Sequence, residues 1–156
     1  MFTKILVCLD GSIETERIIP YAVAQAQHFN SHVVFIRVID IPRAAIPASI
    51  TTTSGEDEVR EVKEQECSLE EEKKAADYLA RLSLPLQQGG INVDCVTVRG
   101  TPAESITAYA EQYGVDLIII TTGESGLLGR VLFGSVTDFI MRNARASVLA
   151  IKPEKE

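Results

Sequence analysis

The residues with the strongest claim to chemistry sit in two turn-rich junctions, Asp10-Gly11-Ser12 and the stretch TTGESGLLGRVLFGSVTD at 121–138, each directly after an apolar run. The second holds four glycines and two serines. Glycine lets a backbone approach a ligand closely, and the amides of Gly134, Ser135 and Val136 would open a helix whose dipole favours negative charge, so the stretch has the parts of an anion cradle. Thr121 and Gly123 stand at its entry, and Glu124 places a carboxylate inside it. Ser135 either adds a hydroxyl to the cradle or caps the helix, with Asp138 three residues on completing a capping box; the two roles are compatible. Asp10, preceded by Leu9, either accepts hydrogen bonds from a ligand at the strand end or forms an Asx-type turn with Gly11 and Ser12.

Other chemistries are poorly served. Gly129 to Ser135 has the glycine spacing of a Walker A loop but lacks its lysine, and no GxGxxG occurs. No serine sits in a GxSxG elbow. The two histidines, His28 and His32, fall at the end of the first helix and the amino end of the second strand, so they read as surface residues rather than general bases. Cys8, Cys67 and Cys95 are an odd number without CxxC spacing, which argues against a disulfide framework and a zinc site. Cys8 and Cys95 read as small buried strand residues.

The elements that must position the two junctions follow from the apolar pattern. Strands are expected at Lys4–Leu9, His32–Ile39, Val93–Arg99, Asp116–Thr121 and Ser147–Lys152, Val/Ile-rich and without strict alternation, as suits strands covered on both faces. Helices are expected between them. The first runs from Ile13 to Phe29 with Ser12 as N-cap, and the second from Val59 to Gln88, stopped by Gly89-Gly90. The third opens on Thr101-Pro102-Ala103-Glu104, with Thr as cap, Pro in the first turn and Glu closing a capping box; the fourth spans Val136 to Asn143. Strands alternating with helices predict an α/β fold, a parallel sheet with helices on both faces. One long irregular segment remains, Ile41 to Gly55, which leaves the carboxyl end of the second strand and is placed to fold over a ligand there.

A chain of 156 residues fits a single domain, 1–156. Its apolar runs are too short for a membrane span, and its start reads as a strand rather than a secretory signal, so a cytoplasmic location and no membrane partner are expected. The net charge is −7, but residues 56–72 hold nine acids and two bases, leaving thirteen of each elsewhere. That balance gives no basic footprint for nucleic acid, and the acidic run reads as the solvated start of a helix.

Six segments in order, KILVCLDGS, FIRVID, RGTPAESI, VDLIIIT, GSVTDFI and ASVLAIKP, together resemble the universal stress protein family over essentially the whole chain. The resemblance implies an open five-stranded parallel sheet of order 3-2-1-4-5, a dimer, and in one branch ATP bound where the strand order reverses, between strands one and four. Both glycine- and serine-bearing junctions then converge on that crevice. Carried over by the resemblance, Leu9 and Asp10 would face the adenosine part, the Val38 backbone would hydrogen-bond adenine, and Gly134, Ser135 and Val136 would hold phosphates.

The ATP-binding branch carries Gly-x2-Gly-x9-Gly-Ser/Thr. Aligned without gaps, its first two glycines fall on Thr121 and Glu124, and only Gly134-Ser135 is kept; sliding to Gly123 and Gly126 leaves seven residues before Gly134 instead of nine. The gapless alignment sets Glu124 beside a triphosphate, where it repels the anion, holds it through a magnesium ion, or points to solvent. The leading expectation is therefore a stress-response regulatory module that binds an adenine nucleotide (ATP, ADP or AMP) in an altered site. The alternative is a nucleotide-independent dimeric interaction module. An enzyme ranks third, limited to slow ATP hydrolysis, since no residue is placed as a base. Val148 to Ile151 reads as an apolar edge strand, and a homodimer through strand 148–152 is expected, together with an unidentified protein partner.

Overall fold

A computed structural model describes residues 1–40, 55–123 and 134–152, with backbone alone over 55–65. Its elements are β1 (Lys4–Cys8), α1 (Ile13–Glu16), α2 (Ile19–Phe29), β2 (His32–Ile39), α3 (Gly55–Gln88), β3 (Val93–Arg99), α4 (Pro102–Gln112), β4 (Leu117–Thr121), α5 (Ser135–Asn143) and β5 (Ser147–Ile151). The strands form one parallel sheet of order β3-β2-β1-β4-β5, the order the resemblance implied.

Right-handed crossovers decide which helix covers which face. The chain moves from β1 to β2 to β3 in one direction, then returns past β1 to β4 and β5, so α1–α3 and α4–α5 lie on opposite faces. The side chains of β1 alternate accordingly. Ile5, Val7 and Leu9 pack with Ile18, Ala22 and Leu79 of the α2–α3 side, whereas Leu6 and Cys8 pack with Ile106, Ala110 and Ile140 of the α4–α5 side. Burial on both faces explains the unbroken apolar strands. Residue 117 of β4 opens in register with Ile5, and Asp116 just before it accepts hydrogen bonds from the amides of Thr3 and Lys4, both at 2.9 Å, which ties the amino ends of β1 and β4 together.

Three local expectations need correction. The helix expected over 13–29 is two, because Pro20 has no amide to bond the Glu16 carbonyl and its ring clashes there, so α1 ends at Glu16 and α2 restarts at Ile19. Thr101 does occupy the N-cap of α4 in an extended conformation, but its side chain makes no capping bond. Cys95 is exposed: it lies on β3, a sheet edge, whereas Cys8 on central β1 is buried as expected. The histidines stand at the end expected for them, His28 in the last turn of α2 and His32 opening β2, where its Nε2 meets Asp94 Oδ2 at 2.7 Å. The segment 41–54, expected to cover a ligand, lies outside the described residues.

Candidate functional site

The carboxyl end of β1 carries Asp10 into a tight turn. Gly11 adopts φ +91°, a left-handed conformation that costs a side-chain-bearing residue, and Ser12 then caps α1, its Oγ accepting from the Thr15 amide at 3.4 Å. Asp10 closes an Asx turn: Oδ1 accepts from the Ser12 amide at 2.8 Å and from the Thr15 hydroxyl at 2.9 Å. Partial burial pushes the Asp10 carboxyl up, but hydrogen bonds from Ser12 and Thr15 outweigh it and hold the group below its ordinary value. It is an anion at neutral pH.

The carboxyl end of β4 meets α5 across a second tight arrangement. Gly123 has φ +69°, and a side chain there would face the Gly134 backbone at 3.5 Å. The Gly134 amide donates to Thr122 O at 2.9 Å, and the buried Thr137 hydroxyl donates to Thr121 O at 2.8 Å, so the first turn of α5 is held against the end of β4. Gly134, not Ser135, is the N-cap of α5, with extended φ −66° and ψ 162°, and Asp138 closes no box but pairs with Arg142 at 3.0 Å. Glycine ranks near threonine as an N-cap, and having no side chain it supplies no capping bond to the first-turn amides.

The two junctions and the end of β2 enclose one cleft of about 350 Å³, within the range of small-molecule sites. Eight of the nine residues singled out from the sequence line it: Leu9, Asp10, Val38, Thr121, Gly123, Gly134, Ser135 and Val136. The ninth, Glu124, lies outside the described residues. The sequence reading missed the apolar floor supplied by Ile36, Ile106 and Ile120, and the hydroxyls of Thr15 and Thr137. Alternation along β2 puts Ile36 and Val38 on one face, a signal that was available; nothing in the sequence marked Thr15. Cys8 also borders the cleft, but burial pushes its thiol up to about 12, so it stays protonated and weakly nucleophilic. Among the described residues no group of three His, Cys, Asp or Glu could hold a metal ion, and no helix is long and apolar enough to cross a membrane.

The universal stress protein family model matches residues 1–152. The chain belongs to the universal stress protein family. It is 31% identical to universal stress protein MJ0531 of Methanocaldococcus jannaschii, over 100% of this chain and 86% of that protein. The solved structure of MJ0577 from the same organism superposes with a TM-score of 0.74 at 27% identity, covering 100% of this chain and 99% of the other. A universal stress protein solved in complex with cAMP shares the fold at 19% identity, with a TM-score of 0.66 over 96% of each chain. In this universal stress protein the cleft occupies the point where the strand order reverses, between β1 and β4.

Proposed function

We propose that this protein is a stress-response regulatory module that binds an adenine nucleotide in the cleft between β1 and β4. The observation that carries the reading is the composition of that cleft, which joins in one cavity an apolar floor, a carboxylate and a helix N-terminus whose N-cap glycine supplies no side-chain bond. Ile36, Val38, Ile106 and Ile120 suit the faces of a base. Asp10 offers an acceptor to donors on the nucleoside, and the first-turn amides of α5, which receive no capping bond from the Gly134 N-cap, suit phosphate oxygens. The family's cAMP complex supports the reading, since that protein holds an adenine nucleotide on the same fold. The donor set among the described residues fits phosphate, and a magnesium ion entering with the nucleotide would be held mainly by phosphate oxygens.

The test begins with the purified protein, denatured and its released small molecules separated; an adenine nucleotide in near-stoichiometric amount is the expected result. Calorimetric titration of nucleotide-free protein with ATP, ADP and AMP follows. No heat of binding for any of the three at millimolar concentration would overturn the nucleotide reading and leave a nucleotide-independent interaction module.

A further inference from the structure

Thr15 is the least expected residue of the cleft. It lies in a four-residue helix that the sequence pattern marks only by its cap, yet it is one of the few buried polar residues described, at 6% exposure, and it borders the cavity. Its hydroxyl is the hub of the Asp10 turn: it stands 2.9 Å from Asp10 Oδ1, 3.3 Å from the Asp10 amide, 3.0 Å from Ser12 O and 3.5 Å from Ser12 Oγ. A hydroxyl has one proton and two lone pairs. Of the acceptors in reach, the ionised carboxylate is the strongest, so the proton belongs to Asp10 Oδ1, and the lone pairs receive the Asp10 amide and the Ser12 hydroxyl. With the Ser12 amide on the same oxygen at 2.8 Å, the two acceptor sites of Oδ1 are filled.

Building on the nucleotide reading above, we propose that Thr15 is a positioning residue for ligand recognition. By holding Oδ1 of Asp10 against the turn it reserves Oδ2 as the oxygen offered to a hydrogen-bond donor on the nucleoside, a sugar hydroxyl or a base N–H. The side chain of Asp10 is exposed and has two rotatable bonds, and the Thr15 hydroxyl holds it together with Ser12, so loss of that hydroxyl loosens it. Loss of the hydroxyl therefore lowers affinity without removing any atom that touches the ligand. Losing the benefit of one charge-assisted hydrogen bond corresponds to roughly a tenfold loss of affinity.

The test uses Thr15→Val, which keeps the shape and removes the hydroxyl, Thr15→Ala as a second variant with less steric demand, and Thr15→Ser as the conservative restoration. Probes are AMP, 2′,3′-dideoxyadenosine monophosphate and inosine monophosphate, titrated calorimetrically against each variant, the wild type and Asp10→Ala. Wild type and Thr15→Ser are expected to prefer AMP over whichever analogue lacks the donor that Asp10 reads, and the identity of that analogue distinguishes sugar from base. Thr15→Val and Thr15→Ala are expected to lose roughly tenfold in AMP affinity and most of that preference, approaching Asp10→Ala. A carbon-detected titration of the Asp10 carboxyl should show its pKa rising toward the ordinary aspartate value in Thr15→Val and returning in Thr15→Ser. Wild-type affinity and preference in Thr15→Val, with Asp10→Ala impaired, overturns the role of Thr15 while leaving the nucleotide reading intact; a wild type that binds no probe overturns both.

Discussion

A side chain at position 11 is disfavoured on two counts. The backbone there has φ +91°, and an added Cβ would stand 3.0 Å from a terminal nitrogen of Arg37. Arg37 is not free to swing aside without loss, because its guanidinium stacks over the Tyr78 ring at 5.1 Å. Gly11→Ala is expected to lower stability by about 1–2 kcal/mol, the usual cost of a left-handed non-glycine residue, measured by urea denaturation; a loss within about 0.3 kcal/mol would show that the turn relaxes. The importance of this junction was legible in DGS, as was the identity of Asp10, but its engagement was not. Ligand contact and Asx turn stood as alternatives in the sequence, and the structure shows the turn, closed on Oδ1. Glu124 is argued from sequence alone. If it repels phosphate, Glu124→Gly should improve affinity for ATP most, ADP less and AMP least. The gain would lie between about 1 and 4 kcal/mol for unit charges about 4 Å apart, less about 0.5–1 kcal/mol for glycine flexibility. If it holds magnesium instead, the same change weakens ATP binding only when magnesium is present; titrations with and without the metal separate the two.

At the scale of elements, periodicity and punctuation located all five strands within a residue or so, because each is an apolar segment with Gly, Pro, Asn or Asp close after it. What pattern could not give was the local competition at helix starts. Ser135 looks a better cap than Gly134 by side chain, yet the backbone turns helical one residue earlier because Gly134 must bond Thr122 O across the junction. Pro20 fits the first turn of a helix as well as it breaks one, so a single apolar stripe hid two helices. The carboxyl end of α4, by contrast, is written plainly: Gly114 at φ +63° lets the Val115 amide reach back to Ala110 O at 2.9 Å. The clamp between β1 and β4 carries a pH signature. Hydrogen bonds from the Thr3 hydroxyl and from the Lys4 and Thr3 amides outweigh a small burial effect and hold the Asp116 carboxyl below its ordinary value. A carboxyl depressed in the folded state contributes stability that is complete above the unfolded value, about 3.9, and is lost as pH falls through the folded value. Wild type should therefore lose stability on acidification from pH 5 to pH 3 more steeply than Asp116→Asn, followed by thermal melts; parallel curves would show that the clamp carries no linkage.

For the whole molecule, the topology was legible only through the family resemblance, since local pattern says that strands are parallel but not in which order they lie. The order has a consequence at the far edge. β5 pairs with β4 on one side only, and its residues alternate between the two layers, Leu149 packing with the α2–α3 core and Val148 and Ala150 with the α4–α5 core. Both faces are thus covered while the outer edge of the strand is open in the single chain. The register fixes which backbone groups face outward. Ile151 O accepts from the Thr122 amide and the Ser147 amide donates to Asp116 O, so residues 147, 149 and 151 turn their backbone groups toward β4, and Val148 and Ala150 turn theirs away. We propose that two copies pair β5 against β5, antiparallel about a two-fold axis, extending the sheet across both chains. Ala150→Pro is a clean probe of this arrangement: it removes an outward amide and leaves the ladder to β4 untouched, a position where an edge strand tolerates proline. Multi-angle light scattering should find the wild type dimeric at micromolar concentration and Ala150→Pro monomeric, with the variant's circular dichroism unchanged. A wild type that is monomeric at that concentration, or a proline variant that remains fully dimeric, would show that the β5 edge is not the contact.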